Sequence, residues 1–464
     1  MFDRRYEASF AIETLSPLHV GTGERTRIAG VGSAGANDAP DVARIVRDHR
    51  QRPYLPATTL KGTLRRLAER SLASGQVERL FGTIKHSDQE TGAMGRLLFR
   101  GGTLDGEAPE ARDYPYAGRA AAELGRGVFV AARTAVDARS GTADDHKLFF
   151  EEMVVAGTRF RTAIVVTGPN GADEADLDAL LSIVARLEHG VPCGRGKADG
   201  SGMLRLVPGS LEIAERSLGA DGRLGMSKRA TPKLAASVPQ PPHRWSATLH
   251  CEGPYLTADS SYDPEEARRS TGKDTVPQLV AQRGRRGGPL ELGSQIAGAL
   301  RSRARYLAGL QALERGVAAR DIASAVDPGT TGVLRVVRGR ADAEELTPVE
   351  RLFGVSGFAG LLSIAELRFE GGTLADSTSV KLDHFSGAPI DKALFTSRAF
   401  VGTALALALQ LEGRGGEAGV GALRAADIAL FEILTRDIEA NGLRLGHGTA
   451  RGFGWFSIDG MQGR

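Results

Sequence analysis

Near the start of the chain apolar and polar residues alternate. Tyr6, Ala8, Phe10 and Ile12 are interleaved with Glu7 and Ser9 and followed by Glu13. A period of two predicts a strand with one buried face. The same alternation returns at Trp245, Ala247, Leu249 and Cys251, against Ser246, Thr248, His250 and Glu252. LKGTLRRL (60–67) and IAGALRSR (296–303) each predict the opening of an amphipathic helix. Segments 134–158 and 379–403 each read as a strand, a glycine-containing loop and a second strand, a hairpin pattern. Helical patterns at 176–189 and 425–440 run into the glycine-rich stretches GRGKADGSGMLRL (194–206) and GHGTARGFGWFSI (446–458), each closing on a strand. The longest apolar run, 401–411, is far short of the roughly 18 residues of a membrane span and reads as one buried helix.

These paired patterns come from an internal duplication. VERLFG occurs at 77–82 and again at 349–354, followed by LLFRGGTL (97–104) and LRFEGGTL (367–374). Shared motifs in the same order are the mark of a repeated unit. The expected organisation is a first domain over 1–215, a linker over 216–243 carrying LGADGRLG and VPQPPHR, and a second domain over 244–464. Each half is strand-first and strand-last with β-α-β order inside. The natural small fold for that order is the ferredoxin-like split βαβ, so the expected class is α+β with two tandem domains.

Composition narrows the function. Of 464 residues 41% are hydrophobic and 25% charged, enough for sizeable cores and against wholesale disorder. The net charge is +3, and only nine of the 59 basic residues are lysine. A G+C-rich genome accounts for that bias as well as a need for phosphate-gripping guanidinium forks does. Cys193 and Cys251 are far apart with no CxxC pair, which argues against a disulfide framework or a cysteine zinc site. The N-terminus MFDRRYEASF has no apolar core of a signal peptide, so a cytoplasmic protein without a membrane anchor is expected.

SPLHVGTGE (16–24), YLPATTLKGTLRRL (54–67), VERLFG (77–82), LFRGGTL (98–104), KLFFEEMVVAGTRF (147–160) and GRGKADGSG (194–202) together resemble the RAMP superfamily, and within it the backbone subunits of type III CRISPR effector complexes. The second half is similar but more divergent, so the chain resembles two fused subunits. The resemblance implies an RRM-like core with a β-hairpin thumb in each half. It implies a CRISPR RNA held by its backbone, a complementary target RNA as substrate, and other effector subunits as partners. In such subunits an aspartate in the loop after the first strand cuts the target with a divalent cation, Mg²⁺ or Mn²⁺.

The loop over 30–48 carries Asp38, Asp41 and Asp48. Asp41 fits the place of the cutting, metal-holding aspartate best, Asp38 is the reserve, and Asp48 reads as a turn residue. In the second half Asp274 stands at the corresponding distance before the helix, with Asp259 and Asp263 as loop acids; there Ala297 replaces Lys61. Turn and cap roles are the plain alternative for all of these aspartates. Lys61, Gly62 and Arg65 sit at a helix start, where free N–H groups and the dipole favour phosphate, with Arg301 as the second-half partner of Arg65. The closing stretches do not fit a phosphate-binding P-loop. Gly194, Gly196, Gly448 and Gly452 instead suit close approach of an RNA backbone, with Arg195, Lys197 and Arg451 as phosphate contacts. Phe149, Phe150 and Phe395 are candidate base wedges or hairpin packing. Two other functions stay open: a non-catalytic RNA-binding scaffold, and a guide-processing endoribonuclease using His19 or His447 as general base.

Overall fold

The computed structural model describes residues 4–32, 39–83, 92–117, 120–134, 148–168, 171–196, 199–218, 224–230, 243–273, 275–328, 346–355, 357–413 and 421–458. The first half begins with β1 (Arg5–Thr14), β2 (Gly21–Arg27), β3 (Asp41–Ile45), α1 (Ala57–Ala68), α2 (Ser74–Phe81), β4 (Leu97–Phe99) and β5 (Thr103–Leu104). It continues through β6 (Val128–Arg133), β7 (Phe149–Val154), β8 (Arg159–Val166), α3 (Glu174–Ala185), β9 (Val191–Pro192) and β10 (Met203–Leu206). A hairpin of β11 (Glu212–Leu218) and β12 (Leu224–Arg229) follows. The second half holds β13 (His243–Cys251), α4 (Pro264–Thr271), β14 (Leu279–Val280), α5 (Ser294–Glu314) and α6 (Pro348–Phe353). Its last elements are β15 (Leu362–Leu382), β16 (Pro389–Leu411), α7 (Ala425–Asn441) and β17 (Trp455–Ser457).

Each half is a mixed α+β unit on a mainly antiparallel sheet, with β14 joining β16 in parallel in the second. In the first, β1 lies between β10 and β8, and β8 pairs onward with β4, giving the order β10–β1–β8–β4. In the second, β13 lies between β17 and β16, and β16 pairs onward with β15, giving β17–β13–β16–β15. The alternation in β1 buries Tyr6, Ala8, Phe10 and Ile12 in one cluster with Leu60 and Leu64 of α1 and Leu177 and Leu180 of α3. Leu249, Ile296, Leu300, Leu430 and Leu434 join the equivalent cluster of the second half. A smaller four-stranded sheet in the first half has the order β2–β3–β7–β6.

In both copies of VERLFG the apolar residues, the arginine and the glycine have packing tasks. Val77, Leu80 and Phe81 are buried, as are Val349 and Leu352. Arg79 Nε donates to Asp176 near the start of α3 at 2.8 Å, and Arg351 Nε to Asp427 near the start of α7 at 3.0 Å. Gly82 and Gly354 end their helices at φ +85° and +87°, where a side chain would be strained. A Cβ on either would also stand 2.6 Å from backbone, from Ala93 O or Gly360 N.

Three sequence expectations need correction. The run 401–411 is not a helix; it is part of β16, paired with β13 on one side and β15 on the other. Its Ala and Leu content favours helix, yet Leu405, Leu407, Leu409 and Leu411 are buried at a period of two, and pairing on both sides overrides propensity. Within the stretch read as linker, residues 216–218 and 224–229 are strand: β11 pairs with β1 along its backbone, and the Arg4–Glu215 (2.6 Å) and Arg216–Glu7 (2.7 Å) ion pairs flank that pairing. Residues 231–242 lie outside the described ones. The loop over 30–48 contains β3, whose Val42 and Ile45 are buried.

The halves pack on each other. Leu290 and Leu292 enter a cluster with Tyr114, Phe129, Met153 and Val155 of the first half. Tyr116 donates its hydroxyl to the Ser260 carbonyl at 2.7 Å. No described helix is long and apolar enough to cross a membrane.

Candidate nucleic-acid interface

Three separate stretches of the first half meet at a cavity of about 400 Å³. The segment after β1 brings His19, Val20 and Gly21; the start of α1 brings Thr58, Thr59, Gly62 and Thr63; the closing loop brings Gly194 and Arg195. The start of α1 follows Pro56, which offers no side-chain cap, and its first turn holds no acidic residue. Its amide groups and the positive end of its dipole therefore remain available to an anion.

The closing loop lies flat against the segment after β1. Arg195 N donates to His19 O at 2.9 Å and Gly202 N to Pro17 O at 2.8 Å. A Cβ on Gly194 would overlap the His19 carbonyl, and one on Gly202 the Cys193 carbonyl. Only glycine allows the loop to sit this close. Buried acids on β7 hold the surroundings. Glu151 pairs with Arg133 at 2.5 Å, and Arg133 reaches Asp199 of the loop at 2.5 Å. Glu152 pairs with Arg44 (3.0 Å) and Arg47 (2.9 Å), and accepts from Ile45 N at 2.9 Å. The backbone oxygen of Glu152 receives His19 Nδ1 at 2.7 Å.

Arg195 is the accessible cation of the cavity. Its side chain is 55% exposed, its nearest acid is Glu151 at 3.7 Å, and its guanidinium lies over the Phe149 ring, 5.6 Å from the centroid. Lys61 sits one turn into α1, beside Gly62. Arg65 and Arg301, read as phosphate contacts, are engaged within the chain. Arg65 donates to the carbonyl of Gly82 (3.1 Å) and to Glu69 (3.1 Å). Arg301 donates to the carbonyl of Gly354 (3.2 Å) and to Asp327 (2.9 Å). Both arginines cap the end of the VERLFG helix of their own half.

The second half repeats the backbone of this site but not its chemistry. His447 N donates to Leu256 O at 2.6 Å and Gly454 N to Pro254 O at 2.8 Å, the bonds made by Arg195 and Gly202 in the first half. By that equivalence Leu256 stands in place of His19, and His447 in place of Arg195. Gln295 at the start of α5 takes the hydroxyls of Tyr255 (3.4 Å) and Thr257 (3.1 Å) on its carboxamide oxygen. Gly448 and Gly452 flank a single 3₁₀ turn at φ +80° and +82°, with Arg451 over the Phe453 ring.

Asp41 opens β3 opposite Arg27, exposed, with the guanidinium 3.9 Å away. It lies at the far end of the β2–β3 ribbon from Gly21. Asp48 is a turn residue, accepting from Arg50 N (2.8 Å) and Arg52 N (2.9 Å). Asp259 accepts from Ser261 N at 2.8 Å and Asp263 caps α4. Asp38, Lys197 and Asp274 lie outside the described residues. Among the described residues no group of three or more His, Cys, Asp or Glu side chains is arranged to hold a metal ion. Gly196 is turned at φ +75° and packs on Asp199. Of the three phenylalanines, Phe150 is buried against Tyr116, Phe149 lies under Arg195, and Phe395 is exposed on the long hairpin. The threonines Thr58, Thr59 and Thr63 were not distinguishable as cavity residues, since nothing in ATTLKG separates a hydroxyl facing a cavity from one facing water.

The sequence pattern of the RAMP superfamily matches residues 11–205 and 258–457, one match in each half. No curated protein matches the chain. Among solved structures, a chain described as a Type III-B Cmr-beta cryo-EM structure of the apo state is 14% identical, with a TM-score of 0.31. That match covers 43% of this chain and 96% of the other, and a likeness so slight carries no argument about the site.

Proposed function

We propose that this chain, which belongs to the RAMP superfamily, is an RNA-binding backbone subunit of a type III CRISPR effector complex. Each half is taken as a ferredoxin-like, RRM-like domain, with the β15–β16 hairpin as the thumb of the second. The strand orders β10–β1–β8–β4 and β17–β13–β16–β15, each with two helices on the sheet, support that plan. The partners would be a CRISPR RNA, its complementary target and other effector subunits.

The observation that carries the RNA reading is the first-half cavity, where an uncapped helix start, an exposed Arg195 and a glycine loop converge. Phosphate oxygens need donors, and a chain of phosphates needs a surface it can approach closely. The cavity supplies both. Sequence specificity would then reside in pairing between guide and target. Cutting of the target would fall to Asp41 in this half, around which the described residues assemble no group of three metal ligands.

The test is binding of a fluorescent single-stranded RNA to the full chain over a range of salt. Arg195→Ala should weaken binding several-fold and reduce the slope of log affinity against log salt by about 0.7, the value for one lost contact to a single strand. Unchanged affinity and slope would remove Arg195 from the interface.

A further inference from the structure

We propose that His19 distinguishes ribose from deoxyribose in the first-half cavity, by accepting the hydrogen of a 2′-hydroxyl at Nε2. The inference rests on the RNA-binding reading and makes it specific to one residue. The residue is 3% exposed, and its Nδ1 is 2.7 Å from the Glu152 carbonyl oxygen. A carbonyl only accepts, so Nδ1 carries the hydrogen, and in that tautomer the ring's lone pair stands at Nε2. Nε2 has no hydrogen-bond partner among the described residues, and the residue lines the cavity. Gly21 keeps that edge open, since a Cβ there would stand 2.7 Å from Nε2.

The rest of the cavity wall is rich in donors: the amide groups at the start of α1, the Arg195 guanidinium and the hydroxyls of Thr58 and Thr59. Those suit phosphate oxygens. A lone pair among them calls for a donor on the ligand, and a phosphodiester has none. The 2′-hydroxyl, next to the phosphate on the same sugar, is the donor that RNA has and DNA lacks. Among the described residues the second half has no equivalent. Leu256 stands in the place of His19, and the Gln295 oxygen is taken by Tyr255 and Thr257.

The experiment compares a short oligouridine RNA with the deoxyuridine strand of the same length, on the full chain, by fluorescence anisotropy. His19→Asn keeps an amide near Nδ1 for the Glu152 carbonyl and removes the acceptor at Nε2. His19→Gln reaches the Nε2 position with an amide oxygen. Wild type should prefer RNA by about five-fold, the worth of roughly one hydrogen bond. His19→Asn should lose that preference through a loss of RNA affinity larger than any loss for DNA, and His19→Gln should restore part of it. Arg195→Ala should weaken both strands alike. A preference that survives His19→Asn, or an equal loss for RNA and DNA, overturns the assignment. Wild type binding both strands equally overturns it while leaving RNA binding intact; wild type binding neither strand overturns both.

Discussion

Arg79 and Arg351 occupy the same place in the two VERLFG motifs but stand in different surroundings. Arg351 is 1% exposed and pairs with a fully buried Asp427, whereas Arg79 is 40% exposed and shares Asp176 with Arg96. Removing one member of a buried pair strands the other charge, at a cost of about 3–5 kcal/mol. Arg351→Ala should therefore destabilise by about that much. Arg79→Ala should cost roughly 1 kcal/mol, because its side chain is solvated and Arg96 remains to neutralise Asp176. Urea unfolding midpoints of the two variants check this, and equal losses would contradict it. At this scale the sequence was least legible. Arg65 and Arg301 look like any basic residue at a helix start. Their partners, Gly82 and Gly354, lie 17 and 53 residues away and are found only in the folded chain. His19 illustrates the opposite limit: its position beside the glycine loop was readable, while the Glu152 carbonyl that sets its tautomer was not.

Among the elements, periodicity made β1, α1, α3 and α7 readable, because each buries one face and the other stays polar. It failed at 401–411, where alanines fill the positions between leucines and blur a period of two. It failed again at β11, whose Glu215 and Arg216 pair with Arg4 and Glu7 across the sheet. The β15–β16 hairpin divides at its base. Glu370 and Ala404 still lie in the sheet with β13, but beyond Val380 and Leu394 the two strands pair only with each other. Leu382 is exposed there, and Phe385 is 99% exposed at the turn. Replacing residues 381–393 with an Asn-Gly turn should leave the melting temperature within about 2 °C, since almost no core is lost. A drop of several degrees in calorimetry would show that the outer hairpin supports the fold.

For the molecule as a whole, the duplication was the most legible feature and the contact between the halves the least. Leu290 and Leu292 anchor that contact, and Glu291 between them turns toward a second cavity lined by both halves. Burial pushes the Glu291 carboxyl up to about 7 from 4.5, against the Phe369 amide and the Arg285 and Arg368 guanidinium groups, which pull it down. The folded state thus holds a proton there that the unfolded chain has released. Stability contributed by the neutral acid is fully present below about pH 4.5 and is lost as pH rises toward 7, by about 3 kcal/mol at most. Glu291→Gln should flatten the fall in melting temperature across that window; an unchanged slope would assign it to other groups. The central claim is that RNA lies along the first-half cavity and not its second-half counterpart. Photocrosslinking of a 4-thiouridine-substituted RNA to the full chain, with the attached peptides identified by mass spectrometry, tests it most directly. Crosslinks should fall on the peptides containing Thr58 to Thr63 and Gly194 to Arg195, and be lost with excess unlabelled RNA. Crosslinks confined to the peptides around Gln295 and His447, or none competed by RNA, would contradict the account.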